Sequence, residues 1–159
     1  RLFCYRRFTI YDEAGQEIVH MVATFVLMDR ESRKVHPVVP EIVAPYQSEF
    51  SKKLVRGPKY RELEEAISKD YHVRFYDLDM NGHVNNSKYL DWIFEVMGAE
   101  FLTNHIPKKI NLKYVKEVRP GGMITSSYEL NQLESNHQVT SDGDINAQAK
   151  ITWQEINKD

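Results

Sequence analysis

Residues 71–92 read YHVRFYDLDMNGHVNNSKYLDW, and this stretch decides how the remainder of the chain is read. It opens on His72-Val73-Arg74-Phe75-Tyr76, whose alternation predicts a strand with Val73 and Phe75 on one face and Arg74 on the other. Asp77, Asp79, Asn81, His83, Asn85 and Asn86 then fall within ten residues. An apolar helix is expected next. Tyr89, Trp92, Ile93, Val96 and Met97 recur at the spacing of one helical face, and Leu90, Phe94 and Phe101 widen the stripe. Asn85, Asn86 or Ser87 can cap its start; Gly98 weakens it near the end, and Asn104 to Pro107 closes it. Burying the five stripe residues contributes roughly 8–15 kcal/mol before entropy, at about 1.5–3 kcal/mol per side chain. A helix that apolar requires a curved sheet wrapped around it. The order of strand, polar loop and helix start also brings short polar side chains and unpaired backbone N–H groups to one spot, as acyl-transfer or hydrolytic chemistry requires.

Downstream residues supply that sheet. Lys108 to Val118 reads as a strand with Ile110, Leu112, Tyr114 and Val118 on one face, and Arg119-Pro120-Gly121-Gly122 is a turn. Met123 to Leu133 is the next strand, carrying Ile124, Tyr128 and Leu130, and a further strand is expected near His137 to Thr140, turned by Asp142-Gly143-Asp144. Ile145, Ala147, Ala149, Ile151 and Trp153 alternate with Asn146, Gln148, Lys150 and Thr152, the mark of a half-buried antiparallel strand. One strand, one long helix and a run of antiparallel strands make an α+β layer around a central helix.

Upstream, Phe3 to Tyr11 and Glu17 to Met28 form a hairpin across Asp12-Glu13-Ala14-Gly15. Pro40 suits the first turn of a short helix running to about Phe50, which Pro45 would interrupt. Residues 51–69 are polar, with Lys52, Lys53, Arg56, Lys59 and Arg61 around Gly57-Pro58, and read as a linker whose end, Arg61 to Ser68, has helical composition. Arg1 is not an initiator Met, and Arg1 to Tyr11 already reads as strand, so the chain is expected to begin inside a folded unit, as a processed or engineered fragment does.

The sequence holds 159 residues, 42% hydrophobic and 28% charged, an ordinary globular composition. A formal net charge of -2 speaks against a general nucleic-acid binder. Cys4 is the single cysteine, which excludes an internal disulfide and a four-cysteine zinc site and points to a reducing cytoplasm. His20, His36, His72, His105 and His137 show no zinc-ligand spacing, so no metal is expected. No apolar run approaches the roughly 18 residues of a membrane helix, no membrane partner is expected, and no signal peptide is read.

The string Asp77-Leu78-Asp79-Met80-Asn81-Gly82-His83-Val84-Asn85-Asn86-Ser87-Lys88-Tyr89 closely resembles the signature of the fatty acyl-ACP thioesterases of plants and bacteria. Thr24 to Met28, Arg33-Lys34 and Pro40 to Val43 resemble the end of that family's first domain, and Lys113 to Glu117 resembles the strand bearing its catalytic Glu. The resemblance implies a tandem hot-dog architecture, each domain a long helix wrapped by an antiparallel sheet. It assigns residues 1–50 to a remnant of the first domain, lacking its first strand and central helix, 51–69 to the linker and 70–159 to a complete second domain. In that family the first domain forms much of the acyl-chain pocket.

By the same resemblance, Asp79, Asn81, His83 and Glu117 occupy catalytic positions. Glu117 is the candidate general base for an attacking water. With an ordinary pKa near ~4.3 it is a weak base, and partial burial is expected to strengthen it. His83 orients the water or shares the proton transfer, and Asn81 holds the water or the carbonyl. Asp79 fixes those side chains or carries part of the base role, and the division between the two carboxylates stays open. Backbone N–H groups at Val84, Asn85 and Asn86 are the candidate substrate-binding oxyanion hole. Taken singly, Asp79 and Asn81 read as turn residues, His83 as a loop histidine, Asn85 and Asn86 as helix caps and Glu117 as a surface strand residue. Strand alternation sets Glu117 opposite Ile110, Leu112 and Tyr114, so it reaches the site only if its own face lines the cleft or a bulge intervenes. Plant relatives place a Cys after this Glu; here Val118 stands there, and a cysteine-protease-like mechanism has no support.

The implied activity is hydrolysis of the acyl-acyl carrier protein thioester without a cofactor, ending chain elongation. An acyl-CoA thioesterase and a non-catalytic acyl-pantetheine-binding hot-dog module are the alternatives. A homodimer is a further expectation, since hot-dog domains pair their sheets and a truncated domain leaves an edge to pair. The acyl carrier protein is acidic, so the basic linker, or Lys108-Lys109 with Lys113 and Lys116, is expected to steer its docking. On that account kcat/KM for the acyl carrier falls steeply as ionic strength rises, and a flat response removes the docking role.

Overall fold

The computed structural model describes residues 2–157. The chain divides into two compact units, Arg1–Leu54 and Val55–Asp159. In the first, β1 (Phe3–Tyr11) and β2 (Glu17–Met28) form the expected antiparallel hairpin, with Phe3 opposite Val26 and Thr9 opposite His20. Arg1 lies outside the described residues. The Asp12 carboxylate organises the turn by accepting the N–H groups of Ala14 (2.9 Å) and Gln16 (2.8 Å). A short β3 (Val35–His36) pairs with the end of β2. The helix expected from Pro40 to about Phe50 is shorter: α1 spans Pro40–Val43, a single 3-10 turn covers Ala44–Tyr46, and Gln47 ends it in the left-handed region at φ 49°. Pro45 lacks the N–H that would have continued the α-helical ladder.

The second unit contains β4 (Ile67–His72), α2 (Asn86–Glu95), α3 (Ala99–Asn104), β5 (His105–Tyr114), β6 (Met123–Asn131), β7 (Glu134–Ser141) and β8 (Asp144–Glu155). Its five strands form one antiparallel sheet in the order β4-β6-β7-β8-β5. The segment before β4 departs from the linker expected over residues 51–69 in two ways. Ile67, Ser68 and Lys69 belong to β4, and Arg61 to Ser68 forms no helix. The Glu129 carboxylate explains the second point. It accepts the N–H groups of Glu64 and Glu65 and pairs with Arg61, a tertiary tie that holds the segment against β6 and overrides local helix propensity.

The core lies between this sheet and α2. Tyr89, Trp92, Ile93, Val96 and Met97 are all buried, as their spacing predicts, and the alternating residues Ala147, Ala149, Ile151 and Trp153 of β8 are buried with them. The buried Ser126 hydroxyl donates to the Trp92 carbonyl (3.1 Å), fastening β6 to the helix. The single long helix, however, is two shorter ones. The N–H groups of Met97 and Gly98 turn back to the carbonyls of Phe94 and Glu95, and Gly98 then adopts φ 84°, a conformation that costs glycine little. Beyond this break α3 brings Phe101 edge-on to Trp153 at 5.0 Å.

His137, one of the scattered histidines of the sequence, sits inside this core. The Trp153 indole N–H donates to the Ser135 hydroxyl (2.7 Å), which lies 2.7 Å from His137 Nε2. His137 Nδ1 is buried without a hydrogen-bond partner among the described residues, and the ring stacks on Tyr128. Burial pushes the imidazole pKa down from 6.5 to about 4. The unfolded chain therefore takes up a proton first as the pH falls, and stability is lost across that window by up to roughly 3 kcal/mol. In chemical denaturation, His137→Gln is expected to lag wild type most at about pH 7 and to close on it as the pH approaches 4. A difference constant over that range contradicts the assignment.

Candidate active site

The strand expected to reach Tyr76 stops at His72, because the chain turns helical around a buried carboxylate. Asp77 Oδ2 accepts the Arg74 backbone N–H (2.7 Å), Oδ1 accepts the Arg74 guanidinium (3.1 Å), and the Asp77 N–H returns to the Arg74 carbonyl (3.0 Å). Burial pushes the Asp77 carboxyl up, but the Arg74 guanidinium and backbone N–H outweigh it and hold the group below the usual range. A single 3-10 turn, Phe75–Asp77, results. In such a turn successive side chains step around an axis instead of alternating. Val73 is consequently buried while Phe75 and Tyr76 are 80% and 87% exposed, so Phe75 does not share Val73's face.

The signature loop closes on itself. Leu78 and Val84 form a bridge, the Asp79 N–H donates to the His83 carbonyl (2.7 Å), and the Gly82 N–H donates to the Asp79 carbonyl (3.0 Å). Asp79 Oδ1 accepts the backbone N–H groups of Asn81 (2.8 Å) and His83 (3.1 Å). The His83 N–H above all, with that of Asn81, holds the Asp79 carboxyl below the usual carboxylate range. Asp79 is thus an ionised anchor for the loop backbone. The side chains of Asn81 and His83 lie at the surface, and Met80 at the tip is 99% exposed.

The start of α2 completes this side of the site. Asn85 is the N-cap, its Oδ1 accepting the Ser87 N–H (3.0 Å) and hydroxyl (2.9 Å). Its own N–H donates to the Asp77 carbonyl (2.8 Å). Of the three N–H groups expected to face a substrate oxygen, that of Asn85 is engaged within the fold and Val84 is buried in the Leu78 bridge. Asn86, at the first helical position, has no carbonyl one turn back to bond.

Glu117 follows a bulge. The N–H groups of Val115 (2.8 Å) and Lys116 (3.2 Å) both donate to the Asn146 carbonyl, placing two residues opposite one just past the end of β5. The alternation that set Glu117 opposite Leu112 and Tyr114 is broken at that point. The segment is then tied to α2 twice: Tyr114 Oη donates to the Asn86 carbonyl (2.9 Å), and the Val118 N–H donates to Tyr89 Oη (3.2 Å). Glu117 itself is exposed, not partly buried as expected. The structure therefore gathers Asp79, Asn81 and His83 in one loop, places Asn85 and Asn86 at the adjoining helix start, and fastens the Glu117 segment to the same helix. Sequence reasoning missed, as site-building residues, Tyr89, Tyr114 and Asn146, whose Nδ2 donates to the carbonyls of Lys116 (3.3 Å) and Glu117 (3.4 Å). Their hydrogen-bonding groups were hidden under an apolar stripe in two cases and an outward strand position in the third. A shallow hollow lined by Arg61, Glu64, Tyr128 and Glu129 contains none of the signature residues.

A helical layer on one five-stranded antiparallel sheet, with a polar loop at the helix start, is the hot-dog thioesterase fold class. The chain belongs to the acyl-ACP thioesterase family: residues 60–155 match its C-terminal domain and residues 1–46 its N-terminal domain. Oleoyl-acyl carrier protein thioesterase 2, chloroplastic, of Arabidopsis thaliana is 27% identical over 139 residues, which cover 80% of this chain and 37% of that protein. A Lactobacillus plantarum structure, provisionally described as an oleoyl thioesterase, superposes with a TM-score of 0.91 at 32% identity, covering 99% of this chain and 65% of that one. The 12:0-ACP thioesterase of Umbellularia californica shares the fold at 22% identity, with a TM-score of 0.83, over 98% of this chain and 64% of that one. The chain thus spans little more than a third of the Arabidopsis protein and about two thirds of the solved chains.

Because the Asp77 carboxylate pins the entry to the signature loop, Asp77→Ala is expected to cost about 1.5–3 kcal/mol of stability, the usual worth of hydrogen bonds to a charged group. Amide exchange at Arg74, whose N–H loses its carboxylate acceptor, should accelerate with it. Unchanged denaturation and unchanged exchange contradict the pinning role.

Proposed function

We propose that this protein hydrolyses acyl-ACP thioesters, releasing a free fatty acid from the phosphopantetheine arm and ending chain elongation. The observation that carries the reading is the engagement of the Asp79 carboxylate by the loop backbone. Asp79 is held by two backbone N–H groups and organises the loop, which leaves Glu117 as the group suited to accept a proton. In the reaction Glu117 takes a proton from water as the water oxygen bonds to the thioester carbon. The negative charge that develops on the carbonyl oxygen accepts the Asn86 N–H at the positive end of α2. As the tetrahedral species collapses, the C–S bond breaks and the pantetheine thiolate takes a proton back from Glu117 or through His83. Asn81 orients the water or the carbonyl by its amide. No step calls for a cofactor. The cytoplasmic setting read from the single cysteine, and pairing with a second copy, belong to the same proposal.

The test is turnover by the full chain of acyl-ACP and acyl-CoA carrying the same acyl group. Hydrolysis of acyl-ACP is expected, with Glu117→Gln and His83→Ala each lowering kcat by roughly 10²–10⁴ while the fold persists. Preference for acyl-CoA replaces the carrier assignment. Tight binding of acyl-pantetheine without hydrolysis makes the protein a binding module. Unchanged turnover in both variants removes the site.

A further inference from the structure

Tyr89 lies in the apolar stripe of α2, and its ring fills the core edge-on to Trp92 (5.6 Å between centroids) and to Tyr114 (5.2 Å). A phenylalanine would make the same contacts. The hydroxyl is therefore unexplained by packing, and its position is specific: buried, it accepts the N–H of Val118, the residue that follows Glu117. That N–H lies beyond the end of β5 and past the bulge at Val115 and Lys116, where the backbone ladder has ended and the Asn146 amide of β8 holds the Glu117 carbonyl (3.4 Å) from the other side. A second phenol makes the return connection, Tyr114 Oη donating to the Asn86 carbonyl. Asn86 and Tyr89 are three residues apart, one turn of the same helix. One turn of α2 thus carries the candidate oxyanion donor and the anchor of the candidate base.

The geometry points to Tyr89 as a positioning residue that fixes Glu117 relative to the start of α2, with Tyr114 closing the strap from the strand side. This rests on the reading of Glu117 as general base. The phenol's role is to hold the backbone of the Glu117–Val118 unit, so that the carboxylate meets the water bound at the helix start. Burial raises the Tyr89 pKa; the Val118 N–H acts against it, and the Glu117 charge adds to it. Displacing a catalytic group by about 1 Å costs on the order of 100-fold in rate, so loss of this one hydrogen bond should be visible in kcat.

The experiment compares Tyr89→Phe, Glu117→Gln and the double variant in the full chain, with acyl-ACP as substrate. Tyr89→Phe is expected to lower kcat roughly 10- to 100-fold, to leave KM within about threefold, and to displace the acidic limb of the kcat/KM profile. The double variant should lose little beyond Glu117→Gln alone, since the phenol acts through that carboxylate. If Glu117→Gln abolishes turnover while Tyr89→Phe leaves kcat and the acidic limb in place, the positioning role falls and the base assignment stands. Additive losses in the double variant, or a fall in kcat with an unmoved limb, also overturn it. If Glu117→Gln alone leaves kcat intact, the base assignment falls and this inference with it. Should Tyr89→Phe fail to fold, Tyr114→Phe removes the strap from its other end and is read by the same criteria.

Discussion

Asp77 is the residue on which the rest of the second unit turns. Its buried carboxylate ends the β4 segment by gathering the backbone and guanidinium of Arg74, and its carbonyl holds the N–H of the helix cap Asn85. One side chain and one carbonyl thereby pin the entry and exit of an eight-residue excursion, 78–85. Burial of a charge is costly unless it is paired and hydrogen-bonded, and both conditions are met here. The signature loop sits in a frame it does not itself have to stabilise, so Asn81 and His83 can lie at the surface while their backbones stay tied to Asp79.

The same frame orders the chemistry. Acyl transfer from a thioester needs a base, an oxyanion donor and a positioned water, with little tolerance for displacement among them. On the proposed reading these requirements fall on three separate segments of the chain, and α2 is the element common to all of them. It begins at the signature loop, presents Asn86 at its first position and takes up the Glu117 segment through Tyr89 and Tyr114. The core that holds α2 against β6 and β8 thus serves the site directly. Affiliation with the acyl-ACP thioesterases and the layout of this helix support each other.

Much of this was legible in the sequence, and the departures share a cause. The strands β6, β7 and β8 and the buried stripe of α2 follow from local periodicity, since one face of each packs on a single core. The break at Gly98 did not, because Phe101 and Leu102 continue an apolar pattern that a helix on either side of the break satisfies equally well. Arg61 to Ser68 has the composition of a helix, yet the remote Glu129 carboxylate holds it otherwise. Phe75 was assigned to the face of Val73 because alternation says nothing of a side chain three residues on that folds back to the backbone. Within the site, the cluster Asp79, Asn81 and His83 was visible as a string. The straps from Tyr89, Tyr114 and Asn146 were not, for a hydrogen bond across thirty residues leaves no local periodicity.

The central claim is that the signature loop, the start of α2 and the Glu117 segment serve one thioester carbonyl. The most direct measurement is a crystal structure of the full chain with an acyl-pantetheine analogue whose thioester sulfur is replaced by an amide nitrogen, which resists hydrolysis. The account predicts the analogue's carbonyl oxygen within hydrogen-bond reach of the Asn86 N–H, with Glu117 facing the carbonyl carbon across one water. An analogue bound elsewhere, with His83 and Glu117 turned from each other and from the carbonyl, would contradict it.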